Sequence, residues 1–177
     1  MNGRKFNWLI GCLVLLATLA LLTSGQLLWK KFAVTQPMDK ILLEIDGVVA
    51  CAHKETKGRE EQILINVTLN DVDHLEQTYK AIEAGVQSVV GSKPYKIVLH
   101  DRRTAALEDF YYSIHFLIHE AIFTGGFSKM AEQINELAAT NGITAKVFVD
   151  NAWVFVQLRQ GDGQMYEAIP RPTNPGR

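Results

Sequence analysis

The sequence predicts an α+β fold: an N-terminal transmembrane helix, then one mixed or mostly antiparallel sheet of five to six strands packed with two to three helices. Three observations predict it. The stretch "WLIGCLVLLATLALL", Trp8 to Leu22, runs without a charge. Period-two alternation, the mark of half-buried strands, appears early as "QILINVTL" and late as "KVFVDNAWVFVQL". Between these blocks the apolar residues advance by threes and fours, as amphipathic helices require. At 177 residues, 47% hydrophobic and 21% charged, the composition suits one globular domain.

Counted as one helix, Trp8 to Trp29 gives 22 residues, close to the ~20 that cross a hydrocarbon core of ~30 Å. Arg4 and Lys5 ahead of it would equally open a secretory signal, with Thr23 and Gly25 small enough to precede a cleavage site. The apolar run continues to Trp29, however, and Lys30 and Lys31 then suit the headgroup level. The expectation is an uncleaved signal anchor, chosen over a cleaved signal and over a buried helix. Basic residues flank the span almost equally, and the terminal amine tips the N-terminus toward the cytoplasm. That reading places a single-pass protein in the cell membrane, its domain on the extracytoplasmic side of a bacterial envelope. The chain divides into a tail (1–7), the span (8–29), a linker (30–39), the α+β domain (40–169) and a flexible tail (170–177).

Within the domain, Ile41 to Ala52 is the first strand candidate, broken or bulged at Gly47. "KETKGREE" turns the chain into a second strand, with Ile63, Ile65, Val67 and Leu69 on one face. Asp71 or Asp73 can cap a helix carrying Leu75, Tyr79, Ile82, Val86 and Val89, which Gly91 ends. "PYKIVLH" supplies a third strand. A helix opens near Thr104, meets Gly125 and Gly126, and resumes at Ser128 until Asn141 and Gly142. Three strands separated by turns close the domain, for an order ββαβααβββ.

Charge narrows the partners. All 19 acidic residues lie from Asp39 onward, against 14 basic residues beyond Lys31, a balance of about −5. Nucleic acid and anionic lipid both need a basic face, so neither suits this domain as a ligand. Cys51 is the domain's one cysteine, so no disulfide can form within it, and a lone cysteine in "GVVACAH" reads as a small buried hydrophobe. The glycosylation pattern "NVT" at Asn66 falls in a strand and carries no weight. "FTGGFSK" lacks the spacing of a Walker or dinucleotide loop and reads as a helix break. Asp101, Arg102 and Arg103 suit a helix start better than a catalytic edge, and "RQGDGQ" reads as a hairpin turn with too few acids for calcium. GxSxG, CxxC and HExxH do not occur.

The stretch "HFLIHE", His115 to Glu120, carries the functional expectation. On a wheel of 100° per residue, Leu107, Phe110, Tyr111, Ile114, Leu117, Ile118, Ala121 and Ile122 share one broad core face. On the far side, where polar residues belong, Tyr112, Phe116, His119 and Phe123 line up instead. Those four are the candidate interface, as apolar anchors with His115 and His119 at a polar margin. Cover for the late hairpin, apolar on both faces, also threatens to fall short without a partner. His115 and His119, at i and i+4, are the metal candidates, with Asp101, His100, Glu108 or Glu120 as further ligands, but HxxxH lacks the glutamate that makes the protease motif specific. The functional expectation is therefore a protein-protein interaction or assembly module, meeting a protein partner or itself, with no cofactor and no catalytic residue. The alternative is an envelope metal-binding protein or hydrolase using His115 and His119.

Overall fold

The computed structural model describes residues 12–20, 36–56 and 62–172, and over these the chain is α+β, with five helices and two three-stranded sheets. Helix α1 is described over 12–20, and α2 spans Gln36–Leu43. Then follow β1 (Val48–Thr56), β2 (Gln62–Leu69), α3 (Leu75–Val90), β3 (Tyr95–His100), α4 (Ala105–Thr124), α5 (Phe127–Thr140), β4 (Thr144–Val149), β5 (Trp153–Gln160) and β6 (Gly163–Pro170).

The transmembrane expectation is corrected here. Among the described residues no helix is long and apolar enough to cross a membrane. The single-pass and signal-anchor readings fall with the span. The rest of the expected span, residues 8–11 and 21–29, lies outside the described residues, as do 1–7, 30–35 and 173–177.

The expected single sheet is also two. In the first, β1 pairs antiparallel with β2, and β2 pairs parallel with β3 through the crossover helix α3. The second is an antiparallel meander, β4-β5-β6. No ladder joins β3 to β6, so each remains an edge strand. Helix α3 lies under the division. Its Leu75, Tyr79, Ile82 and Val86 share one core with Ile63, Ile65, Val67 and Leu69 of the first sheet and with Phe155 and Tyr166 of the second. A second core lies on the other side of the meander, where Val154, Val156, Leu158 and Met165 meet Leu107, Ile114 and Ile118 of α4 and Ile134 of α5.

That arrangement answers the question of cover. Strand β5 is buried on both faces, Phe155 toward α3 and Val154 and Val156 toward α4 and α5. The chain's own helices supply the shelter, and the late hairpin gives no reason for a partner.

Two local differences have plain causes. The segment expected as a strand from Ile41 begins as helix, because Met38 and Leu42, one turn apart, are both buried. Gly85 lets the two helices approach: a Cβ there would stand 2.8 Å from Ile41 Cγ2. Strand β1 therefore starts only after Gly47, whose φ of +85° and 2.7 Å clearance from Val72 Cγ2 admit no side chain. Helix α3 has no aspartate cap, since His74 holds the N-cap position. Instead, two buried glutamines tie its entry to the second sheet. Gln157 accepts from Leu75 N–H at 3.3 Å and donates to the Val72 carbonyl at 2.6 Å. Gln164 accepts from Asp71 N–H at 2.8 Å and from the Tyr166 hydroxyl at 2.7 Å, and donates to Asp71 Oδ1 at 2.7 Å.

Candidate functional site: the outer face of α4 and the cleft between the sheets

Helix α4 begins where Thr104 Oγ1 accepts the Leu107 N–H at 3.3 Å and ends at Gly125 in the left-handed region, φ +76°. Its core side, Leu107, Phe110, Ile114, Ile118 and Ala121, is buried. The opposite side is open: Tyr112 is 71% exposed, Phe116 67% and Phe123 83%. With the exposed His119 these residues step by four, three and four. That is the spacing of a seam along which a helix can receive one partner helix. All four interface residues expected from sequence therefore share one exposed face.

His115 stands at the edge of the seam. Its ring lies 3.8 Å from that of Phe116 and 5.1 Å from that of Tyr112, with His119 edge-on at 6.3 Å. His115 Nδ1 sits 2.5 Å from the Tyr112 carbonyl oxygen, an arrangement that calls for the proton on Nδ1. The other ligand candidates are elsewhere. His100 meets Asn66 on the open face of the first sheet. The Asp101 side chain is fully buried and committed to Arg103 and to the Tyr166 amide. Glu108 shares with the two histidines a groove of about 500 Å³ bounded by Arg103, Met165 and Glu167. Among the described residues no group of three His, Cys, Asp or Glu is placed to hold a metal ion.

A second concavity has no counterpart in the sequence reading. Between β3 and β6 lies a cleft of about 730 Å³, with Tyr79, Glu83 and Trp153 along its floor and Tyr95, Ile97 and Ala168 on its walls. One end is pinned shut. Gln164 N–H donates to the Arg102 carbonyl at 3.0 Å, and Tyr166 N–H donates to Asp101 Oδ2 at 2.9 Å. Arg103 grips Asp101 through Nε at 2.8 Å and Nη2 at 2.9 Å, and reaches Glu167 through Nη1 at 3.0 Å. The Arg103–Glu167 pair forms a wall shared by the cleft and the groove beside α4.

The electrostatics here describe a half-buried ion pair. Burial lifts the Glu167 carboxyl above its ordinary value, and the Arg103 guanidinium partly offsets that. Hydrogen bonding to Asp101 raises Arg103 further, so it stays charged. Burial pushes the neighbouring Tyr111 phenol up to about 12. The residues in these two concavities offer recognition groups: aromatic faces, a carboxylate and open main chain. Sequence reasoning missed the cleft because it arises from the division between β3 and β6, which periodicity does not encode. The one available signal was Glu83, a carboxylate beside the buried stripe of α3.

No family model and no curated protein matches this chain. Among solved structures, a pantoate-β-alanine ligase from Francisella tularensis is similar at 14% identity and a TM-score of 0.35. The likeness covers 63% of this chain and 45% of that one, and at such a score it carries no argument.

Proposed function

We propose that this protein is an assembly module that pairs with a second copy of itself through the outer face of α4. The supporting observation is the seam of Tyr112, Phe116, His119 and Phe123, three of them large rings between two-thirds and five-sixths exposed. Such a stripe is costly to leave in water and matches the anchors of helix-to-helix interfaces. Charge selects the direction. A parallel pair would set Glu108 and Asp109 against their own copies, and like charges repel. An antiparallel pair centred on Phe116 separates them and brings Tyr112 opposite Glu120 of the second copy, hydroxyl to carboxylate. The pair is then isologous, each copy giving and receiving the same contacts.

Sedimentation equilibrium of the full chain over a wide concentration range tests the reading. The expected result is a reversible monomer–dimer equilibrium. A monomer at every concentration removes the second copy as occupant, and a hetero-partner would then have to be sought on the same face.

A further inference from the structure

The alternation of a β-ladder fixes which main-chain groups each strand turns outward. In β6, the Gln160–Gly163 pair closes a two-residue turn and is hydrogen-bonded, so the bonded pairs continue at Met165, Glu167 and Ile169. Gln164, Tyr166 and Ala168 therefore point their N–H and C=O away from β5. Two of those amides confirm the direction by bonding to Arg102 and Asp101. The amide of Ala168 and the carbonyls of Tyr166 and Ala168 face the cleft.

Strand β3 shows the complementary row. Ile63 N–H donates to the Pro94 carbonyl at 2.9 Å, which sets the parallel ladder so that Lys96, Val98 and His100 bond to β2. The N–H and C=O of Tyr95, Ile97 and Leu99 then point the other way, into the same cleft. Two edge strands thus present open donors and acceptors to each other across about 730 Å³, a volume within the ~300–1,000 Å³ of ordinary ligand sites. Tyr95 to Leu99 is five residues, or about 13 Å between its ends at ~3.3 Å per residue.

The geometry points to a binding site for an extended peptide of a partner protein, added as a strand between β3 and β6 with a basic side chain turned toward Glu83. Strand addition pairs both open rows at once and joins the two sheets into one of seven strands. The floor decides the side-chain chemistry. Trp153 offers a half-buried aromatic face, backed by the buried Tyr79 ring with its centroid 5.2 Å away. Among the described residues Glu83 makes no ion pair, whereas Arg103 is already held by Asp101 and Glu167. Lys96 also borders the cleft, but it alternates with the core-facing Tyr95 and Ile97, so its side chain lies on the face of the sheet opposite the floor. A lysine or arginine between apolar residues of the peptide fits that floor, and the acidic balance of the domain favours its approach. The proposal does not depend on pairing through α4.

The test uses the full chain and a phage-displayed library of random dodecapeptides, followed by anisotropy with a synthetic copy of each selected peptide. Selected peptides should share an alternating pattern with a basic residue. Their binding should weaken at least tenfold in Ala168→Pro, which removes an outward amide that β5 does not use, and should be unchanged in Phe116→Glu. In the wild type, the bound peptide should slow hydrogen exchange at the Tyr95, Ile97, Leu99 and Ala168 amides at least tenfold. This second readout stands even if Ala168→Pro fails to fold. The proposal is overturned if no peptide is enriched over an unrelated control protein, if selected peptides bind with those four amides unaffected, or if a folded Ala168→Pro binds them equally. Self-association of the wild type that Ala168→Pro abolishes would make the occupant a second copy, which overturns the assignment to a different protein.

Discussion

Replacing Phe116 with glutamate separates interface from core more sharply than any other single change. Phe116 is 67% exposed, and an aromatic side chain buries ~200 Å² when covered, so about 130 Å² of its surface is available to a partner. At ~25 cal/mol per Å² that surface is worth about 3 kcal/mol. A two-fold pair loses it twice, and adds the cost of bringing two carboxylates together at the centre. Taking one ring alone as a lower estimate, the dissociation constant should rise by more than about 100-fold. The fold should barely respond, because surface substitutions usually fall within about 0.5 kcal/mol. Phe110→Ala is the contrasting case: that ring is 5% exposed, and truncation should cost about 3–5 kcal/mol. Sedimentation equilibrium and urea denaturation of the three proteins give both readouts. If Phe116→Glu associates like the wild type, the seam is not the interface. If it unfolds as readily as Phe110→Ala, Phe116 is core and the description of α4 fails.

Further outcomes follow from the same geometry. Gln164→Met strands the Tyr166 hydroxyl proton and the Asp71 amide, at about 1–3 kcal/mol for a buried orphan; a loss of about 3 kcal/mol in urea titration is expected, and a loss no larger than that of the half-buried Gln160→Met would refute the staple. In the free protein, hydrogen exchange along β3 should alternate, with Lys96, Val98 and His100 at least ~100-fold slower than Tyr95, Ile97 and Leu99; uniform exchange would mean that the open row does not exist. Burial, followed by the bond to Asp39, pushes the Cys51 thiol up to about 11 from 9.0. In a Cys12→Ser background, iodoacetamide should therefore label Cys51 about 100-fold more slowly in the folded than in the unfolded chain below pH 9, the gap closing as pH rises toward 11. The unfolded thiol gives up its proton first, so this group's contribution to stability is present below pH 9 and is lost as pH rises through about 11. Equal labelling rates would overturn the shift.

Local physics was legible wherever one residue type decides the outcome. Thr104 capping α4, Gly91 and Gly125 ending helices, and the Ile63 to Leu69 alternation follow from backbone and burial preferences that act over a few residues. The outer seam of α4 was readable for the same reason, since helical spacing alone places Tyr112, Phe116, His119 and Phe123 together. What the sequence concealed depends on distant partners. Gln157 and Gln164 look like surface residues of a strand until Asn70 to Leu75 folds across them. The helix at Gln36–Leu43 gains its stability from Met38 and Leu42 meeting α3, so local signals read its first residues as linker and its end, from Ile41, as strand. The long apolar run misled by its composition: residues 8–29 read as a continuous span, whereas among the described residues no helix is long and apolar enough to cross a membrane.

The division between β3 and β6 shows how a sheet can be stopped without burying its edges. At the pinned end, the Asp101 carboxylate accepts the Tyr166 amide that a neighbouring strand's carbonyl would otherwise take. One side chain thus satisfies the edge while holding Arg103, and Arg103 in turn holds Glu167 on the same strand. The next outward groups, at Leu99 and Ala168, have no such substitute, and no ladder forms between β3 and β6. Exposed edges invite pairing with foreign chains, and proteins usually blunt them with charge, proline or short length. Pro170 and the brevity of β3 do so only at the mouth. An edge guarded at both ends and open between them excludes a long, flat sheet while admitting a short strand. Asp101→Asn, which keeps the acceptor oxygen but weakens the hold on Arg103, should loosen the pinned end and speed exchange at the Tyr166 amide. Unchanged exchange there would mean that α3, not the carboxylate, sets the angle between the sheets.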